Sequence, residues 1–133
     1  MDDLVQFLHA RLHEDEQTAN GHQQWSASWH QDDMANEIRD DENAGTVAFV
    51  PRAGDRAHIA RHDPARVLAE IGAKRQILRR LAGAEFALSV TKKDTVPHGL
   101  MTGAVNSWRD AVRLLAVPYA DHPDYRGEWR PAA

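Results

Sequence analysis

The chain has 133 residues, 42% of them hydrophobic and 27% charged, with a net charge of −4 and no cysteine. That length accommodates one domain with a modest core, and the lack of cysteine excludes disulfides, thiolate metal centres and cysteine nucleophiles. No apolar run approaches the ~18 residues of a membrane span, and the acidic balance gives no overall basic footprint for nucleic acid.

The first predicted element is an amphipathic helix over about residues 3 to 19. Asp2 or Asp3 stands as its cap, Leu4, Val5, Leu8 and Leu12 recur at helical spacing with Phe7 at the margin, and Asn20-Gly21 provides the stop. The acidic start, Met1-Asp2-Asp3, is unlike the basic start of a signal peptide, which predicts a cytoplasmic location. His9 and His13 have chelating spacing, but only Glu16 accompanies them, so a solvated polar flank is the better account.

A change of pattern follows. Trp25, Ala27 and Trp29 alternate, which predicts a strand with both indoles on one face. The run Thr46-Val47-Ala48-Phe49-Val50, bounded by Gly45 and Pro51, predicts a second strand paired antiparallel to the first. Between them, residues 31–43 are acidic, with Met34 and Ile38 the only large apolar residues, so a long loop or one or two helical turns is expected. The acids Asp32, Asp33, Asp40, Asp41 and Glu42 lack the alternating spacing and central glycine of a calcium loop.

Asp55 is read as the cap of a short helix carrying Ala57, Ile59 and Ala60. Asp63 as N-cap with Pro64 in the first turn is the preferred arrangement for starting the next helix, whose stripe is Val67, Leu68, Ile71, Leu78 and Leu81 and whose expected terminator is Gly83. Lys74, Arg75, Arg79 and Arg80 concentrate positive charge toward its end. Residues 84–106, broken by Pro97, Gly99 and Gly103, read as a loop with an optional strand at 86–90. Asn106 or Ser107 then caps a last helix with Trp108, Ala111, Val112 and Leu115 on one stripe, closed by Pro118. The tail, residues 119–131, is too rich in aromatic rings for a disordered segment and is expected to fold back on the body.

The predicted fold is therefore α+β: helices packed on one face of a small antiparallel sheet of two or three strands, in the order α-β-β-α-α-α, within a single domain spanning residues 1–133. Trp25, Trp29, Val47 and Phe49 are expected to meet Leu8, Leu12, Ile71, Leu78, Trp108 and Leu115 in the core.

Three classes of function are compatible with these residues. A non-enzymatic interaction module would dock a protein partner through Lys74, Arg79, Arg80, Tyr119, Tyr125, Arg126, Trp129 and Arg130, since Tyr, Trp and Arg are enriched in binding hot spots. A metal-dependent hydrolase would use His58, His62 and Asp63 with His122, a donor set suited to zinc, manganese or iron; Asp63 and Pro64 also have a sufficient role in starting a helix. Nucleic-acid binding through Lys74, Arg75, Arg79 and Arg80 has the acidic balance against it, and no helix-turn-helix signature supports it. No cofactor is implied beyond that metal, and no membrane partner. There is neither a serine-nucleophile motif nor a glycine-rich phosphate loop.

Three blocks carry a resemblance. DDLVQFLHARLHEDEQTA at the start, HIARHDPARVLAEIGAKRQIL in the middle and the stretch from Val112 to Trp129 look like a family of small actinobacterial and actinophage proteins known only as a domain of unknown function. The resemblance covers about half the chain and implies no assigned reaction or ligand. Family members with cysteines before the last helix differ from this chain, which has Ser107-Trp108 there, so a thiolate zinc site is not implied for it.

Overall fold

The computed structural model describes residues 1–22 and 26–133. Its elements are α1 (Asp2–Ala19), β1 (Trp29–Asp32), β2 (Glu37–Asp40), β3 (Thr46–Phe49), α2 (Ala53–Arg61), α3 (Pro64–Val90) and α4 (Val96–Ala116), with 3-10 turns at Asn20–His22, Val117–Tyr119 and Gly127–Trp129. Among the described residues the fold is α+β, four helices and a small three-stranded antiparallel sheet in the order α-β-β-β-α-α-α, with α2 against the sheet. Trp25, with its expected place in the first strand, lies outside the described residues. Two compact units divide the chain: His13–Ile71, and Met1–Leu12 with Gly72–Ala133.

In the unit His13–Ile71 the three strands form a meander, β1-β2-β3. The strand β2 lies in the segment read from sequence as a loop or helical turns. Aspartates make the difference, because their side chains close the turns that let four residues cross the sheet. Asp32 Oδ1 accepts the N–H groups of Met34 (3.1 Å) and Ala35 (3.2 Å), and Asn36 takes a left-handed φ of 57°, which asparagine tolerates. Asp40 Oδ1 likewise accepts the N–H groups of Glu42 (2.9 Å) and Asn43 (3.3 Å). Between these turns Ile38 is fully buried, while Met34, its apparent helical partner in sequence, is 98% exposed at the turn. The helical spacing of the two was coincidental.

The register explains a second departure. Ile38 pairs with Gln31 and Ala48, and Glu37 pairs with Asp32 and Phe49. Phe49 therefore shares the pleat face of Glu37 rather than that of Ile38, and it is 66% exposed instead of entering the core. A register irregularity between Ile38 and Arg39 leaves Val47 between the pairs Ile38–Ala48 and Arg39–Thr46. The helix α2 lies against β1 and β2. It is tied down by Arg56, 4% exposed, whose guanidinium donates to the carbonyls of Val50 and Pro51 (2.9 Å each) and to Asp33 Oδ1 (3.0 Å). The expected cap, Asp55, instead pairs with Arg52 at 2.7 Å; Arg52 is the N-cap residue and makes no side-chain cap bond.

In the other unit, α3 runs past Gly83 to Val90, so the 84–106 segment is helical at both ends. A mid-helix glycine costs about 1 kcal/mol against alanine. The helix nevertheless continues, buried at Leu78 and Leu81 before the glycine and joined to α4 by the Glu85–Arg109 pair (3.2 Å) after it. The last helix starts ten residues earlier than Asn106, at Val96. Thr95 is its N-cap, its hydroxyl accepting from His98 N–H at 3.3 Å, and Pro97 sits in the first turn, where its missing N–H is no loss. Proline read as a breaker was a start signal. The buried residues of this unit are Leu4, Phe7, Leu8, Leu12, Leu78, Leu81, Val105, Val112, Ala116 and Trp129 among the apolar ones, whereas Trp108 and Leu115 are half-buried.

Candidate functional site

The junction between α2 and α3 holds three of the residues singled out in the sequence. Asp63 starts α3: Oδ1 accepts the N–H of Arg66 at 2.9 Å and Oδ2 accepts the N–H of Trp29 at 3.1 Å, so one carboxylate both caps the helix and fastens β1 to it. The Ala65 N–H to Ala27 carbonyl bond (2.9 Å) reinforces that attachment. His58 and His62, one helical turn apart, stack with ring centroids 4.4 Å apart, and His62 Nδ1 lies 2.8 Å from the His58 carbonyl oxygen. Among the described residues, no group of three or more His, Asp or Glu side chains comes together to hold a metal ion.

The tail does fold back. A succession of 3-10 and isolated turns, His122 N–H to Tyr119 carbonyl (2.9 Å), Tyr125 N–H to His122 carbonyl (2.9 Å) and Trp129 N–H to Arg126 carbonyl (3.0 Å), winds it around one residue of α1. That residue is Phe7. Its ring meets Tyr119, His122, Tyr125 and Trp129 at centroid distances of 6.4, 5.6, 6.0 and 5.1 Å, mostly edge-to-face. Arg11, buried, completes the arrangement: its guanidinium lies over Phe7 at 5.1 Å, contacts His122 Nδ1 at 2.8 Å and lies 3.9 Å from Asp124. The same guanidinium also contacts His122 Nε2, and Nδ1 accepts the Asp124 N–H at 3.1 Å, so His122 anchors the tail to α1. Arg126 pairs with Asp3 at 2.8 Å and covers the Trp129 ring at 5.4 Å.

Of the residues expected to meet a partner, Trp129 is thus buried, and Tyr119 and Tyr125 are half-buried against Phe7, while Arg126 and Arg130 remain exposed. On α3, Lys74 is half-buried, and Arg79 and Arg80 are exposed. A line of exposed residues that includes three apolar side chains lies elsewhere, beginning in a stretch that the sequence presents as loop. Along α4, Val96, Leu100, Gly103, Ser107, Asp110 and Leu114 follow each other at steps of four and three, one straight line on the helix, and all six are exposed. Val96 is 77% exposed, Leu100 65% and Leu114 60%, and the opposite side of the helix buries Val105, Val112 and Ala116. The spacing was present in the sequence; Pro97, Gly99 and Gly103 hid it. On α3, Phe86 and Val90, four apart, are also exposed.

The acidic residues of the β1–β2 turn have structural roles. The N–H of Ala35, more than any other group, and then Arg39 and Met34 hold the Asp32 carboxyl below its ordinary value, against a smaller opposing effect of desolvation. The Gln31 amide and the Arg56 guanidinium do the same for Asp33. Arg39 bridges Asp32 (2.8 Å) and Glu37 (2.7 Å) across the sheet. Asp40 is fully buried in the second turn with Oδ2 unpartnered among the described residues.

No helix of the described residues is long and apolar enough to cross a membrane. No curated protein and no solved structure matches the chain. A family model does match, over residues 1–131, nearly the whole length. The chain belongs to that family, a family of unknown function (DUF6221).

Proposed function

We propose that the protein is a small non-enzymatic interaction module, an accessory protein of an actinobacterial host or its phage, that docks through the outward line of α4 and takes a second copy of the chain as its occupant. The observation that carries the reading is the exposure of Val96, Leu100 and Leu114 on one line of the helix, with the small residues Gly103 and Ser107 between them, because single exposed apolar residues are ordinary whereas aligned ones on a helix favour docking. The order of the row favours self-pairing. Placed antiparallel to itself about its midpoint, the line sets Val96 opposite Leu114, Leu100 opposite Asp110 and Gly103 opposite Ser107, so apolar ends cover each other and small residues at the centre let the two backbones approach. The same alignment puts the exposed Lys92 and Lys93 of each copy beside the C-terminal end of the other α4, the negative end of its dipole.

Sedimentation of the full chain across a concentration series tests it. A monomer–dimer equilibrium is expected, with Leu100→Glu and Leu114→Glu shifting it to monomer and leaving the helical circular-dichroism signal unchanged, since both side chains are solvent-facing within the single chain. A monomer at all concentrations, or a dimer indifferent to both substitutions, overturns the reading. The metal-dependent hydrolase has weaker support: both oxygens of Asp63 accept backbone N–H groups, and His122 serves Arg11. Nucleic-acid binding rests on exposed Arg79 and Arg80 alone, within an acidic chain.

A further inference from the structure

A second straight line of outward residues runs along α3, within the unit Met1–Leu12 and Gly72–Ala133. Gly72, Gln76, Arg79, Gly83, Phe86 and Val90 follow each other at steps of four and three, and all six are exposed, Phe86 at 70% and Val90 at 67%. The opposite side of the helix buries Leu78 and Leu81. Both glycines of α3 lie on the outward line, and a Cβ at either would meet no atom of the described residues within 4 Å. Glycine inside a helix is less stable than alanine, so the fold by itself would hold better without these two. What a glycine offers on an open helix face is a closer approach for another backbone than any side chain permits.

The charge of this helix is opposite to that of the molecule. From Gly72 to Val90 it carries Lys74, Arg75, Arg79 and Arg80 against Glu85 alone, in a chain of net charge −4, and Glu85 is engaged by Arg109. Arg79 and Arg80 are exposed, and neither has an acidic partner among the described residues. Two open cations at one end of the line call for carboxylates or phosphates, and Phe86 and Val90 at the other call for apolar cover. A nucleic-acid duplex satisfies the arginines and leaves those two side chains in water. An anionic lipid plane would be carried against Asp2 and Asp3, which share a cavity of about 550 Å³ with Glu85, Leu88 and Ser89 on the flank of α3. A narrow occupant with acidic residues at one end and an apolar stripe at the other meets every group of the line.

We propose that the outward line of α3 docks an acidic amphipathic helix of another protein, with its carboxylates opposite Arg79 and Arg80, its backbone over Gly83 and its apolar residues on Phe86 and Val90. The stretch from Arg79 to Val90 is about 16 Å of helix at 1.5 Å per residue, about three turns, a length that one docked helix covers. The face lies on a different helix from the self-pairing line of α4. It is read by titration with a separate peptide, so either reading can fail without the other.

The test uses the full chain, isotope-labelled, and a synthetic probe helix of about 18 residues with leucine along one face and glutamate on the rest. The same peptide with lysine in place of every glutamate, a generic DNA duplex and phosphatidylglycerol vesicles are the comparisons. The acidic probe is expected to bind at least about tenfold more tightly than the lysine probe, to shift amide resonances between Gly72 and Val90, and to be released as salt rises. Arg79→Glu/Arg80→Glu should weaken it at least about tenfold. Gly83→Leu should weaken it as well while raising the melting temperature, a combination that damage to the fold would not produce. Equal affinity for the two peptides, an affinity unmoved by either variant, shifts confined to α4 or the tail, or tighter binding of the duplex or the vesicles would each overturn the proposal.

Discussion

The tail cluster of one unit and the strand turns of the other are built from different physics. Around Phe7 the chain is held by rings meeting rings, with Arg11 and Arg126 laid over their faces; the contacts are many, apolar and individually weak. In the sheet, short strands of four residues each are held by a few directed bonds from Asp32, Asp40, Asp63 and Arg56 to backbone groups. A three-stranded sheet this short buries little, and its turns carry the specification instead. The difference predicts two kinds of failure: the ring cluster loses stability in proportion to what is cut away, whereas the sheet fails where one buried polar group loses its partner.

The sharpest way to break the comparison is Phe7→Ala, which removes the ring common to four contacts. It is expected to cost about 3–5 kcal/mol, to free the tail and to expose it to limited proteolysis, while hydrogen exchange in the β1–β2 turn stays protected. Arg56→Ala should cost about 3 kcal/mol, because the carbonyls of Val50 and Pro51 lose their donor and the Asp33 carboxylate is left with the Gln31 amide. Exchange in β3 and α2 should then rise, with no change in the fluorescence environment of Trp129. If either substitution loosens both regions equally, the two units do not respond separately and the comparison fails.

Asp63→Ala comes next, at about 1–2 kcal/mol, as an N-cap loss; accelerated exchange at the Arg66 and Trp29 amides is the specific readout. Ala44→Gly acts in the opposite direction. Ala44 has φ of 55° in the β2–β3 turn, a region alanine occupies at a cost that glycine avoids. Chemical denaturation should show a gain of about 0.5–1 kcal/mol. The smallest effect is pH-dependent. Because Asp32 and Asp33 have folded-state values below the ordinary 3.8, their contribution is complete above that value and is lost as pH falls through the lowered ones. The melting temperature of Asp32→Asn/Asp33→Asn should therefore fall less steeply than that of the native chain below pH 3.8, and the two slopes should coincide near neutrality.

The same contrast explains what could be read from the sequence. The helix α1, the Asp63-Pro64 start of α3 and the return of the tail were legible because apolar periodicity, a capping pair and aromatic density each have a local signature. The strand β2 was not, since only Ile38 of its residues is apolar and the turns on either side depend on aspartate oxygens finding particular N–H groups. Gly83 and Pro97 misled for a related reason: both are punctuation whose meaning depends on context, and burial at Leu78 and Leu81 or a cap at Thr95 decides it. For the sites, Arg79 and Arg80 are visible as candidates, but Gly83 reads as the end of their helix and separates them from Phe86 and Val90. The outward line of α4 is hidden in the sequence because Pro97, Gly99 and Gly103 make its first half read as a loop.

The position of Phe7 has a consequence for how the molecule comes into being. Arg11 and His122 are 111 residues apart, and Asp3 and Arg126 are separated by 123. Contacts this distant along the chain form late, because loop closure must be met before they return any energy. A nascent chain emerges from its N-terminus, so the apolar side of α1 waits, uncovered by these rings, until residues 119–129 have been synthesised. Slow translation or truncation near position 119 would leave Phe7 bare, with the acidic residues of the first turn, Asp2 and Asp3, as a local guard against association through it.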